Sequence, residues 1–128
     1  MDSERLKNID VFSSMDEEHL EHLAQIAEET TISSGDKLTK AGSHSYQLFA
    51  IEKGKVEVIR DDDVVATLSE GDVVGEVGVI GRGLRNADVV AKDDVKAIFF
   101  TQDRVKQMRK ENPDVAEKLD EIVEKRDR

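Results

Sequence analysis

The chain reads as a mainly β domain, an antiparallel sandwich or barrel with helices at both ends. Three observations carry this. Between residues 30 and 100, short apolar or alternating runs are separated by glycine- and aspartate-rich turns, at intervals of about ten residues. On either side of that region the apolar positions recur at helical spacing instead. The length, 128 residues, fits one domain large enough to bury a core.

Taken in order, Leu6 and Ile9 stand three apart and mark a weak amphipathic turn within residues 2–9. Ser14 followed by Glu17 predicts a capping box, opening a helix that ends near Ala27 with Leu20, Leu23, Ala24 and Ala27 facing inward. Ser33-Ser34-Gly35-Asp36 predicts a turn, residues 37–39 a short strand and 41–45 a loop. Residues 47–53 predict a strand carrying Leu48, Phe49 and Ile51, and Gly54 a tight turn. Residues 55–60 alternate, with Val56 and Val58 on one face, and Asp61-Asp62 turns the chain into a strand over 63–68. The Asp61 to Asp63 run lacks the glycine and glutamate of a calcium loop, so it reads as a hairpin tip blunted by charge.

Ser69-Glu70-Gly71-Asp72 is a further turn, and Val89-Val90 and 95–99 predict two strands around a charged turn at 92–94. Thr101 and Asp103 open a helix with Val105 and Met108 inward. Asn112-Pro113 pairs an N-cap with a proline at the first helical position of a second helix, lined by Val115, Ala116, Leu119, Ile122 and Val123. That helix docks on the barrel or on a twin chain, or closes as a lid by moving at Pro113. The readings are compatible.

Charge narrows the function. A net charge of −10, from 19 basic and 29 acidic side chains, argues against a nucleic-acid surface. The chain has no cysteine, which excludes disulfides and thiolate zinc sites. No apolar run approaches membrane-spanning length and the N-terminus has no leader-like apolar stretch, so a cytoplasmic protein without a membrane partner is expected. His19 and His22, at i and i+3, have a spacing that suits a metal, but Glu18 and Glu21 beside them favour a solvated face and no third ligand is evident. No Ser–His or Cys–His nucleophile set is present, and no enzyme is expected.

The densest chemistry lies in Val74-Gly75-Glu76-Val77-Gly78-Val79-Ile80-Gly81-Arg82-Gly83-Leu84-Arg85-Asn86-Ala87. Gly75 lets the backbone turn where a side chain would block close approach. Residues 76–80 suffice for one helical turn, whose free N–H groups attract an anion. Arg85 grips two phosphate oxygens with its planar fork. Glu76, an acceptor when ionised, suits a sugar hydroxyl. Together they form a phosphate–sugar cradle, and Arg82, Arg85 and the helix N-terminus are a local exception to an acidic field.

From about Ile9 to Val123 the chain resembles the cyclic nucleotide-binding domain family. The stretch from Val74 to Ala87 resembles that family's phosphate-binding cassette, and the register from Gly75 to Val89 follows the family pattern without a gap. Ser34-Gly35-Asp36-Lys37-Leu38, then Gly42, then Leu48-Phe49-Ala50-Ile51-Glu52-Lys53-Gly54-Lys55-Val56 resemble its paired glycine turns, and Leu68-Ser69-Glu70-Gly71-Asp72 its approach to the cassette.

The resemblance implies a single domain: N-terminal helices over 1–28, an eight-stranded jelly-roll barrel over 29–100 with the cassette at 74–87, and two C-terminal helices over 101–128. It implies a cyclic AMP or cyclic GMP ligand and no other cofactor. Arg85 would pair with the cyclic phosphate and Glu76 accept from the ribose 2′-hydroxyl. Backbone N–H groups of Gly78, Val79 and Ala87 would meet phosphate oxygens, with Gly75, Val77 and Asn86 completing the binding stretch. Leu119, Ile122 or Val123 would cap the purine.

Departures are specific. Leu84 stands where many members carry proline, leaving the loop less preset. Gly78 replaces the alanine of kinase-type members but resembles the Gly-Glu-Leu-Gly-Leu of bacterial regulators. Asn86 either reaches a guanine edge or faces outward, and Asp88 puts a carboxylate near the phosphate unless it points to solvent, as alternation predicts.

The implied function is a sensor module that repositions its C-terminal helices, with output through a homodimer or a protein effector. The alternative is an interaction or scaffold module that keeps the barrel without the ligand. A metal-dependent jelly-roll enzyme is disfavoured because two of the three histidines (His19, His22, His44) fall outside the barrel.

Overall fold

A computed structural model describes residues 1–39, 47–75 and 87–126. Two 3-10 turns, Ser3–Asn8 and Asp10–Phe12, lead into helix α1 (Glu17–Ile26). Eight strands follow among the described residues: β1 (Glu28–Ile32), β2 (Lys37–Thr39), β3 (Gln47–Lys53), β4 (Val56–Arg60), β5 (Asp63–Leu68), β6 (Val73–Val74), β7 (Asp88–Ala91) and β8 (Val95–Thr101). Helices α2 (Gln102–Glu111) and α3 (Pro113–Arg126) close the described chain. The loop predicted at 41–45 lies outside the described residues.

The strands form two four-stranded antiparallel sheets, ordered β1-β8-β3-β6 and β2-β7-β4-β5. This order fits the expected eight-stranded jelly roll broadly. The run Leu48-Phe49-Ala50-Ile51 is buried at every position, so both faces of β3 are covered. Leu48 and Ala50, with Val73, Ile98 and Phe100, face the helices, where they meet Leu6, Ile9, Phe12, Leu20, Leu23, Val105, Met108, Val115 and Leu119. Phe49 and Ile51, with Val74, Val95 and Ala97, face the second sheet, where they meet Val56, Val89 and Ala91. The alternation of a strand splits one apolar run between two cores. Three layers result: helices, first sheet, second sheet.

Turn chemistry fixes the sheet ends. Asp61 and Asp62 both adopt positive φ (53° and 67°) between the paired residues Arg60 and Asp63. This is the geometry of a two-residue hairpin whose twist matches the strands, and aspartate tolerates it better than most residues. At Gly54 (φ +99°) an added Cβ would lie 2.6 Å from the Asp94 carbonyl, so glycine is required twice over. The charged turn at 92–94 ties strands together: the Asp93 carboxylate accepts from the Lys55 N–H (2.7 Å) and that of Asp94 from the Ser34 N–H (3.0 Å).

The helix caps differ from the expected ones. Asp16, not Ser14, caps α1, its carboxylate accepting from the His19 N–H at 2.9 Å. Glu17 is engaged elsewhere, by the Ser3 hydroxyl and Lys7, so the predicted box does not close. Asn112 turns its side chain back to donate to the Met108 carbonyl, while its own carbonyl accepts from the Ala116 N–H to start α3.

Candidate functional site

The first of the two sheets delivers the chain to the cassette through β6, where Val73 and Val74 pair with Ala50 and Phe49. The chain leaves that strand at Gly75, whose φ of +89° favours glycine. It returns at the buried Ala87 and enters β7, a strand of the other sheet, where Asp88 pairs with Ile59. The segment between therefore links one sheet to the other. Glu76, Val77, Gly78, Val79, Arg85 and Asn86, together with Leu84, lie outside the described residues.

The approach to Gly75 is held from two sides. Ile51 donates to the Asp72 carbonyl and accepts from the Gly71 N–H, both at 2.9 Å. The Ser69 N–H donates to the Asp72 carboxylate at 2.9 Å. From the helical side, the Asp10 N–H donates to the Gly71 carbonyl at 3.0 Å. Gly71 has φ +94°, and an added Cβ would press on the Asn8 carbonyl and the Asp10 carboxylate, both at 3.1 Å. The N-terminal 3-10 segment is thus fastened to the turn four residues before Gly75.

Sequence reasoning gave that segment little weight. Its signal was present: Leu6, Ile9 and Phe12 stand three apart, the period of a 3-10 helix, in which i and i+3 eclipse. All three are buried, and the Phe12 ring meets Phe100 edge-on at 5.7 Å. Arg5 adds an electrostatic clamp, donating through Nε to Glu52 on β3 at 2.8 Å and through a terminal nitrogen to Glu29 on β1.

On the return side, Asp88 is half-buried on the outer face between the inward Ala87 and Val89. Its carboxylate accepts from Lys37 Nζ at 3.1 Å. The added acid thus points away from the sheet interior and has a cation beside it.

The three base-cap candidates lie on α3, which packs on α2 and on the second 3-10 turn. Leu119 is fully buried in the helical core, Ile122 is half-buried against the same cluster, and Val123 is half-buried. His19 and His22 line a small groove between α1 and α2. His19 Nδ1 lies 2.6 Å from Asp16, and the Asp16 carboxyl is held below its usual range by the His19 backbone N–H and then the ring. Among the described residues no cluster of three histidine or acidic side chains is placed to hold a metal. None of the described helices is long and apolar enough to cross a membrane.

The sequence profile described as the cyclic nucleotide-binding domain matches residues 29–112. The chain belongs to the cyclic nucleotide-binding domain family. It is 31% identical, over 74% of its length, to a cAMP-dependent protein kinase regulatory subunit of Schizosaccharomyces pombe, covering 23% of that protein. A cGMP-dependent protein kinase of Drosophila melanogaster is 27% identical over 83% of the chain, which covers 12% of that protein. This chain therefore spans less than a quarter of each of these relatives. Among solved structures, the regulatory subunit of a cAMP-independent protein kinase A from Trypanosoma brucei superposes with a TM-score of 0.84 at 27% identity, over 94% of this chain and 45% of that one. The residues matched to the cyclic nucleotide-binding domain family take in all eight strands except the first residue of β1, the cassette and α2, and stop before α3.

Proposed function

We propose that this chain is a regulatory cyclic nucleotide-binding domain, a single unit that takes cyclic AMP or cyclic GMP and answers by shifting its C-terminal helices. One observation carries the reading. The family match includes a stretch that leaves one sheet at Gly75 and re-enters the other at Ala87, with Glu76 and Arg85 between them. A ligand held by that stretch would be bound between the exit from the first sheet and the entry to the second. Arg85 neutralises the cyclic phosphate, Glu76 accepts from the ribose 2′-hydroxyl, and the backbone N–H groups of Gly78, Val79 and Ala87 complete the cradle. Gly75 and Val77 shape it, and Asn86 either meets a guanine edge or faces out. The outward, Lys37-paired Asp88 supports anion binding despite its charge.

The helix response follows from packing. Leu119 is fully buried among the helices, so it reaches a purine only if α3 leaves its present seat. Ile122 and Val123, half-buried further along, need less movement. Switching then requires the ligand to favour one seat of α3 over another. Output passes to a second copy or a protein effector through these helices.

Calorimetric titration with cyclic AMP and cyclic GMP tests the reading. Binding by at least one is expected, and Arg85→Ala should weaken it by about a hundredfold, the loss of a bidentate charged pair. Absence of binding by both at about millimolar ligand, a free energy near 4 kcal/mol, would retire it.

A second reading has its own support. The Trypanosoma neighbour is the regulatory subunit of a cAMP-independent kinase, and Leu84 departs from the family's proline. In that reading the domain is a ligand-independent scaffold. Light scattering that finds the same self-association with and without nucleotide, alongside a blank titration, favours it.

A further inference from the structure

We propose that Ser14 is a phosphorylation site whose phosphate is gripped by Lys118 and locks α3 in its docked seat. The importance given to that seat rests on the reading above; the site itself rests on separate observations. Ser14 lies exposed between the second 3-10 turn and α1, and its side chain is not used as a cap because Asp16 fills that role. Its hydroxyl instead accepts from Lys118 Nζ on α3 at 2.8 Å, a contact spanning 104 residues.

Among the described residues Lys118 makes no ion pair, in a chain of net charge −10. A cation held on a neutral hydroxyl, in so acidic a molecule, is positioned for a charge that the serine does not yet carry. The two acids that follow Ser14 are engaged elsewhere. Asp16 is taken by the His19 N–H and ring, and Glu17 by the Ser3 hydroxyl and Lys7.

A phosphate at this position lies just ahead of the N-terminus of α1, where the helix dipole favours negative charge. The residues that follow, Met15-Asp16-Glu17-Glu18, give a kinase with a basic cleft an acidic surface to read. In the transfer, Ser14 Oγ attacks the γ-phosphorus of ATP held by that kinase. The Oγ–P bond forms as the bond from the γ-phosphorus to its bridging oxygen breaks; ADP leaves and the serine proton passes to the kinase's carboxylate base. The product places roughly two negative charges beside Lys118. The contact between α3 and the N-terminal segment changes from an ammonium on a neutral hydroxyl to an ion pair, on top of the buried Val115 and Leu119.

The test installs phosphoserine at position 14 during synthesis of the whole chain and follows hydrogen exchange along 113–126 without nucleotide. About tenfold slower exchange is expected, of the size of one charge-assisted bond, and Lys118→Ala should abolish the gain. Unchanged exchange overturns the proposal, as does a gain that survives Lys118→Ala, which would place the phosphate's effect on α1 alone. In parallel, an acidophilic serine/threonine kinase with labelled ATP should phosphorylate the folded chain and not Ser14→Ala; equal labelling of the two overturns it. Since no cyclic nucleotide enters either experiment, failure here is distinct from failure of the nucleotide titration.

Discussion

At the residue scale, two kinds of position dominate: backbone corners that only glycine fills, and carboxylates engaged by donors. Gly54→Ala combines a left-handed backbone with a contact of 2.6 Å to the Asp94 carbonyl, and should cost about 3 kcal/mol in urea unfolding. The carboxyls give a pH dependence. Glu17 is held below its ordinary range by the Ser3 hydroxyl and then Lys7, Glu29 by Arg5, and Glu70 by its own N–H and that of Gly54. A folded pKa below the unfolded one adds stability that is complete above the unfolded value and is lost as pH falls through the folded value. The melting temperature should therefore change little from these groups between about pH 7 and 5 and fall below about pH 4.5. The Glu17→Gln, Glu29→Gln double variant should show a shallower fall. These corners were legible in the sequence, because glycine and aspartate at turns report backbone demands directly. Which donor meets which carboxylate was not, since Arg5, Glu29 and Glu52 meet only after β1 and β3 are placed in one sheet.

At the scale of elements, the helix caps and the two-faced strand separate local from tertiary causes. Because Asp16 caps α1, Asp16→Ala should cost about 1 kcal/mol, while Ser14→Ala, which removes one exposed contact to Lys118, should stay within about 0.5 kcal/mol. Equal losses in thermal unfolding would restore the capping box. For α3, Leu119→Ala should cost about 3 kcal/mol, because the side chain is fully buried among the 3-10 segment, α1 and α2 and its removal leaves a cavity. The strand runs at 47–53 and 63–68 fall where the sequence predicts them, since alternation and turns are local signals. Strand β6, two residues long, had no periodicity to read; its pairing with β3 defines it.

At the scale of the molecule, net charge and layering set the terms. With 29 acids against 19 bases, mutual repulsion opposes compactness. Raising salt from about 0.02 M to about 0.5 M should raise the melting temperature by screening that repulsion; a fall would mean that local pairs such as Arg5 with Glu52 outweigh it. The helices lie against the first sheet, where Phe12 shares a buried cluster with Leu119 of α3 and the Asp10 N–H donates to the Gly71 carbonyl, so packed contacts run from α3 toward the turn before Gly75. If the proposed sensor function holds, a thermal shift with cyclic nucleotide should be accompanied by altered exchange protection in 113–126; a shift with unchanged protection there would count against a response of α3.

By itself the sequence determined the family, six of the eight described strands with the turns between them, and the stretch holding Glu76 and Arg85, because glycine spacing and alternation are local in the chain; β1 and β6 were not read from it. Only the tertiary structure decided that Leu48-Phe49-Ala50-Ile51 divides between two cores, that Ser14 meets Lys118 rather than capping α1, and that Leu119 lies buried among helices. The reason is physical: each of these depends on partners tens of residues away, and a chain carries no record of which distant side chain will fill a given space until the layers close.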